Sequence, residues 1–416
     1  MKLNISQKSW VLYDVANSAY QLVIVTAIFP IYYASVVPEQ VDLLGYLIPS
    51  ESFYLLMFSA AYLFVCLINP LLSGIADHTS SKKSFMIGFT SLGIIGTIGL
   101  CFFDENNLAF GYFAAFISTV GYTGSIVFYN AFLPIVGKRN EQDFISAKGY
   151  AWGYTSSMIL LTIALVPFIF ELFPANIASK FTFLLVAIWW LVFAIISISG
   201  LPNEEKKSLV NNLFWSGYIQ LIKALKSIFS HKIVCLFLAS FFFYMMGVQT
   251  VFYAATLFGK QELKLDSNLL ILTMLLIQAL GALGANLLAK LAYKKNNFFA
   301  LVVTLVLWTL VTIYAYFINS PIEFILASVV VGFVMGGIQS LSRSTFSKWT
   351  YDLKNKASLF SLLDFTEKIG IVIGTLSFAY FTSLFNSMRI AILVLVFFFL
   401  VGLILLLCTR LYKSAK

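Results

Sequence analysis

The chain has 416 residues, 60% of them hydrophobic and only 11% charged, with a formal net charge of +9. A soluble domain carries about 25% charged residues and a disordered chain is poor in apolar ones, so both classes are excluded. The apolar residues come in long runs instead of short alternating segments, which excludes a membrane β-barrel and leaves a polytopic helical membrane protein.

The first apolar run, residues 10–37, is long enough to cross a bilayer, since about 20 residues at 1.5 Å each suffice. It is too long for a cleavable signal segment and lacks a small-residue cleavage site. At about 100° per residue, Tyr13, Asp14, Asn17, Ser18, Tyr20 and Gln21 share one side. Val11, Leu12, Val15, Ala16, Ala19, Leu22 and Val23 share the other, which is expected to face lipid. The polar side must face protein or a water-filled cavity. A carboxylate inside a membrane helix is by default a functional-site hypothesis; a buried structural ion pair is the alternative.

Eleven further spans are predicted at 53–76, 84–103, 108–136, 147–170, 181–200, 233–259, 268–293, 298–318, 322–347, 358–385 and 389–409. An even count puts both termini on one side. With the N-terminus inside, only Lys180, Lys260, Lys264 and Arg389 of the 27 Lys and Arg fall in outer loops, and Lys368 lies inside a span. This positive-inside bias predicts cytoplasmic termini and explains the basic excess without nucleic acid.

The chain divides into a first six-helix half, 1–200, a linker, 201–232, and a second half, 233–416. Within the linker, residues 213–229 read as an amphipathic helix on the inner face, with Lys223 and Lys226 toward water. The halves look like repeats: Gly74 corresponds to Gly284, and Asn130, Leu133 and Pro134 to Gln339, Ser342 and Arg343. An all-α membrane protein of twelve transmembrane helices in two such halves resembles the major facilitator plan, in which spans one, four, seven and ten line a central cavity.

The loop after span two, GIADHTSSKK, offers a tight turn at Gly74, an acceptor at Asp77, and Lys82 and Lys83 to anchor at headgroups. Asp77 is expected to meet the start of span eleven near Ser358, whose helix N-terminus carries partial positive charge. Leu287 stands at the matching place in the second half, so this latch is asymmetric. Gly149 and Gly153 form a small-xxx-small pair for close helix approach. Lys148 is placed to snorkel.

Asp364 and Lys368 form an i,i+4 pair, which leaves Glu367 to Arg343. Asp14, Arg343 and Glu367 are expected to converge as an inner gate or proton-coupling site, with neutral helix–helix pairing as the alternative. Protons are the candidate coupling ion, with Asp14 as carrier and Glu367 or Asp364 next. Cavity candidates are Tyr13, Asn17, Tyr20, Gln21, Asn130, Gln249, Tyr253, Gln278, Asn286 and Gln339, whose amides and phenols suit polar organic solutes. Met245 and Met246 read as packing. Cys66, Cys101, Cys235 and Cys408 lie in apolar runs, and His78 and His231 stand alone, so neither a disulfide framework nor a metal or cofactor site is expected.

Tyr13, Asp14, Ala16, Asn17, Ser18 and Tyr20, followed by Phe29, Pro30 and Tyr32, resemble the span-one signature of the autophagy-related vacuolar amino-acid effluxer family and its bacterial relatives. Tyr129 to Pro134, the Ser146, Gly149, Gly153 and Tyr154 spacing, and Gly336 to Ser344 match as well, so the resemblance covers essentially the whole chain. Ser361 departs from the family's Gly. The resemblance implies secondary transport, with amino-acid efflux in the fungal members. The chain is expected to be a monomeric transporter of the bacterial inner membrane that moves a small polar organic solute by alternating access, with amino acids the candidate and efflux the direction. A non-transporting receptor or scaffold on the same fold is the alternative. A membrane-embedded enzyme is disfavoured by the scarcity of histidine, and no Gly-rich loop for ATP is present.

Overall fold

The computed structural model describes residues 3–43, 45–204, 213–385 and 387–414. Among the described residues, twelve helices are long and apolar enough to cross a membrane. The first six are Ile5–Val36, Leu56–Thr79, Lys82–Phe102, Leu108–Val136, Gln142–Ile169 and Ala175–Gly200. The others are Lys232–Lys260, Leu272–Lys294, Asn297–Phe317, Pro321–Trp349, Lys356–Phe385 and Met388–Arg410. They are called spans one to twelve below. This is the architecture of an all-α membrane protein. A short antiparallel hairpin, Gln40–Leu43 with Tyr46–Pro49, adds the one sheet among the described residues. Its turn holds Gly45 at φ 87°, with the Gly45 N–H donated to Asp42 Oδ1.

Span one begins earlier than the hydropathy suggests. Asn4 accepts from the Gln7 N–H and Gln7 Oε1 accepts from the Asn4 N–H, a capping box that satisfies two orphan donors and starts the helix ahead of Lys8. Residues 205–212 of the predicted linker lie outside the described residues. The amphipathic helix is present as Leu213–Ser230, with Lys223 and Lys226 exposed and Ala224 and Ile228 buried.

By contacts the chain forms two compact units. One comprises Met1–Phe132, Trp152–Leu221 and Asn355–Ser361; the other Leu133–Ala151, Ile222–Lys354 and Leu362–Lys416. In the first, span one packs on span six, span three on spans four and six, and span two on span four. The second repeats the scheme with seven on twelve, nine on ten and twelve, and eight on ten.

Span one is buried on nearly every side. Val11, Val15, Ala16, Ala19, Leu22 and Val23, expected to face lipid, are all buried. The cause is span six, which lies along this apolar side. Trp189 Nε1 donates to the Val15 carbonyl at 3.0 Å, and Ser197 Oγ to the Ser9 carbonyl at 2.6 Å.

The middle of span one, Tyr20–Ile28, is a π-helix. Phe29 N–H donates to Ile24 O, five residues back. The next donor in that ladder would be Pro30, which has no N–H. The Val25 carbonyl left over accepts Tyr54 Oη at 3.3 Å instead. Thr26 Oγ1 donates to the Gln21 carbonyl at 2.9 Å on the same wide turn. An α-helical wheel therefore misassigns faces beyond Tyr20.

Gly74 does not make the turn after span two. The helix Ser50–Thr79 runs through it, and the chain turns at Ser80, φ 55°. A Cβ on Gly74 would stand 2.1 Å from the Gly217 carbonyl oxygen. The missing side chain lets the linker helix rest directly on the end of span two.

Candidate functional site

In the first unit, span one is fixed by aromatic and hydroxyl contacts. Trp10 stacks on Tyr129 with centroids 4.5 Å apart and donates Nε1 to the Tyr129 carbonyl at 2.9 Å. The Tyr13 ring lies 4.8 Å from the Tyr129 ring, and its hydroxyl shares a 2.5 Å hydrogen bond with Thr90 of span three. Tyr20 Oη meets Ser118 at 2.7 Å and Thr119 at 3.0 Å in span four. Asp14 and Asn17 are buried between these anchors, and Gln21 is half-buried. Asn17 Nδ2 has no hydrogen-bond partner among the described residues. A Cβ on Gly153 would stand 2.5 Å from Ser18 Oγ, so span five approaches span one closely there. Asn130 is half-buried near the end of span four.

At one end of the same unit, the Asp77 side chain is buried and faces the first turn of span eleven. Its Oδ1 accepts the Ala357 N–H at 3.1 Å, and its Oδ2 accepts the Ser358 N–H at 2.8 Å and Ser358 Oγ at 2.9 Å. A carboxylate there satisfies orphan helix donors and complements the dipole. Lys82 Nζ stands 3.4 Å from Asp77 and 2.6 Å from Glu204, whose other oxygen accepts the Lys82 N–H at 2.7 Å. Lys82 was expected at the headgroups. It is instead buried, because two carboxylates compensate its charge. Lys83 is half-buried and donates to the Leu201 carbonyl at 2.9 Å and Asn203 Oδ1 at 2.8 Å.

In the second unit, Ser146 near the start of span five is held by a guanidinium cation. Arg343 Nε donates to Ser146 Oγ and Nη2 to the Ser146 carbonyl, both at 2.9 Å. The guanidinium sits 4.2 Å from the Tyr150 ring centroid. Ser146 Oγ passes a 2.8 Å bond to the Ser340 carbonyl. Beside it, Asp143 pairs with Lys348, which also donates to Asn297 Oδ1 at 3.0 Å. Asp364 and Lys368 form the expected i,i+4 pair at 3.6 Å. Glu367 does not reach Arg343. Its Oε1 accepts the Gln249 amide at 2.8 Å, since Gln249 of span seven is the donor beside it. Gln278 is buried and Gln339 half-buried, and Asn286 donates to the Ala282 carbonyl at 2.8 Å. The Tyr253 side chain lies outside the described residues. Lys148 lies over the Phe144 ring, 5.6 Å from its centroid.

The sequence profile of a family described as vacuole effluxer Atg22 like matches residues 5–416. The chain belongs to this family.

The Atg22-like chain is 30% identical over 412 residues to the uncharacterized MFS-type transporter YxiO of Bacillus subtilis, covering 96% of this chain and 94% of that protein. It is 25% identical to autophagy-related protein 22 of Kluyveromyces lactis, covering 86% and 79%. The fold matches the crystal structure of the major facilitator transporter FucP in the outward conformation, with TM-score 0.74, 13% identity and 97% of both chains covered. The human organic anion transporter MFSD10 matches at TM-score 0.70 and 13% identity, over 97% of this chain and 98% of that one. This is a membrane-embedded transporter of the major facilitator type.

Several polar groups of the Atg22-like fold escape a reading of its sequence. Glu204 is one of two acids in the charge-balanced linker stretch NEEKK, and only distance identifies it as the partner of Lys82. Asp143 and Asn297 sit at predicted span edges where polar residues are ordinary. Asn69, beside Pro70 in span two, is buried with neither amide atom hydrogen-bonded among the described residues.

Proposed function

We propose that this Atg22-like transporter moves a small polar organic solute, amino acids foremost, across the bacterial cytoplasmic membrane by alternating access, with both termini cytoplasmic. The observation that carries the reading is Asn17: a buried amide on the polar side of span one, with Nδ2 unpartnered among the described residues. An unmade buried donor costs about 1–3 kcal/mol, a cost that a solute carboxylate or carbonyl would remove. In the first unit the solute contacts are Asn17, Gln21 and Asn130, with Tyr13 and Tyr20 positioning span one. In the second they are Gln249, Gln278 and Gln339, with Tyr253 as a further candidate. The gating groups are Asp77, Lys82, Lys83 and Arg343. Asp14 is the proton carrier, with Asp364, Glu367 and Lys368 as the second coupling group. The description of the family as vacuole effluxers supports efflux as the direction, and the transporter is read as a monomer.

The test is uptake and counterflow of radiolabelled amino acids in proteoliposomes, with and without a pH gradient. Saturable flux that is lost in Asn17→Leu, with gradient-driven accumulation lost but exchange kept in Asp14→Asn, is the expected result. Absence of saturable amino-acid flux in the wild type refutes the solute class. Unchanged gradient-driven accumulation in Asp14→Asn removes Asp14 as carrier.

A further inference from the structure

The second unit contains a cavity of about 700 Å³ that the transport reading does not use. It opens where spans seven, nine, ten and twelve end together with the loop after span four. Its walls carry Arg139, His231, Lys232, Lys295, Lys348 and Arg410, and none of its lining residues is Asp or Glu. Its volume falls within the usual range for small-ligand sites, about 300–1,000 Å³.

The cations differ in how far they are compensated. Lys348 is held on the wall by Asp143 and Asn297. Arg139 stands 3.7 Å from Asp352, but both are largely exposed, a pairing that screens little. Arg410 is steadied over the Phe298 ring, 5.7 Å from its centroid. Among the described residues, neither Lys295 nor Arg410 forms an ion pair with a carboxylate. Two helices also begin at the cavity, at Lys232 and Asn297, and their N-terminal dipoles add positive potential.

We infer that this cavity binds the phosphodiester headgroup of an anionic phospholipid. A soluble anion would be recognised by the same cations, so the surroundings decide between the two. The helix ends that carry the cations continue into exposed apolar side chains, Phe299 at 42%, Ile404 at 58% and Leu407 at 42%. These give acyl chains a path along spans nine and twelve while the phosphate sits among the cations. Basic pockets between membrane helices at one bilayer face suit such headgroups.

The experiment uses the purified full chain in a neutral detergent. Binding of phosphatidylglycerol, phosphatidylcholine and inorganic phosphate is followed by native mass spectrometry and by thermal stability. Phosphatidylglycerol is expected to bind saturably and phosphatidylcholine not. The double variant Lys295→Gln/Arg410→Gln should weaken binding about 25-fold, from about fivefold for each surface cation. Lys295→Arg/Arg410→Lys should restore it. The control Lys223→Gln/Lys226→Gln removes the same charge from the linker helix and should leave binding within about twofold. Equal binding of phosphatidylcholine, equal losses in the two neutralised variants, or full displacement by inorganic phosphate would each overturn the inference, the last in favour of a soluble anion.

Discussion

Replacing Asp77 by Asn tests whether the end of span two holds the start of span eleven. Asp77 accepts three hydrogen bonds from Ala357 and Ser358, at 3.1, 2.8 and 2.9 Å. Hydrogen bonds to a charged acceptor contribute about 1.5–3 kcal/mol each net. An asparagine keeps one acceptor oxygen but turns an amide donor toward a helix end that itself presents donors. Lys82 is not stranded by the change, because Glu204 remains 2.6 Å from it. The loss is therefore about 3 kcal/mol, one to two charge-assisted bonds, which corresponds to about 100-fold in the docking equilibrium. The assay is hydrogen exchange read by mass spectrometry on a peptide containing Ala357 and Ser358. Their protection should fall about 100-fold in Asp77→Asn, while peptides from span three keep theirs. Protection unchanged within about threefold would refute the reasoning, since it would mean that the helix end is held by other contacts. If the docked segment gates transport, the same variant shifts cavity cysteines toward labelling from the inner side.

Gly74→Ala should lift the linker helix from span two at a cost of about 1–3 kcal/mol, because its Cβ would stand 2.1 Å from the Gly217 carbonyl oxygen. Changed quenching of Trp215 fluorescence with secondary structure retained is the expected readout. Arg343→Lys keeps the charge but loses the two-point grip on Ser146 and the seat over Tyr150, so transport should fall at least tenfold while expression and monodispersity hold, because a compact ammonium cannot reproduce the planar fork.

The architecture was legible because it rests on what a bilayer forces on a chain: long apolar runs and basic residues on one side of them. The meeting of Asp77 with Ser358 was legible too, since an acid after a helix and a bare helix start are complementary by charge alone. What could not be read was anything that depends on packing angle. The apolar side of span one looked suited to lipid, but Trp189 and Ser197 of span six show that protein covers it. Lys82 looked like a headgroup anchor because Glu204 is more than a hundred residues away in sequence. Glu367 looked like the partner of Arg343 because opposite charges at one level attract. A neutral amide, Gln249, and a serine, Ser146, took those places instead.

The wide turn of span one has a kinetic meaning beyond its hydrogen bonds. A π-helical segment holds more residues per turn than the α-helix on either side of it. Resolving one wide turn into α geometry would free one residue's worth of twist and rise, turning everything beyond the segment by about 100° and advancing it by about 1.5 Å. Phe29, Tyr32 and Tyr33, which follow Tyr20–Ile28, pack against Phe103, Phe183 and Tyr54. Such a rotation would make all three rings unseat together. Tyr54 Oη and Thr26 Oγ1 hold carbonyls on the wide turn, so such a rotation would have to release the Tyr54 bond together with the three rings.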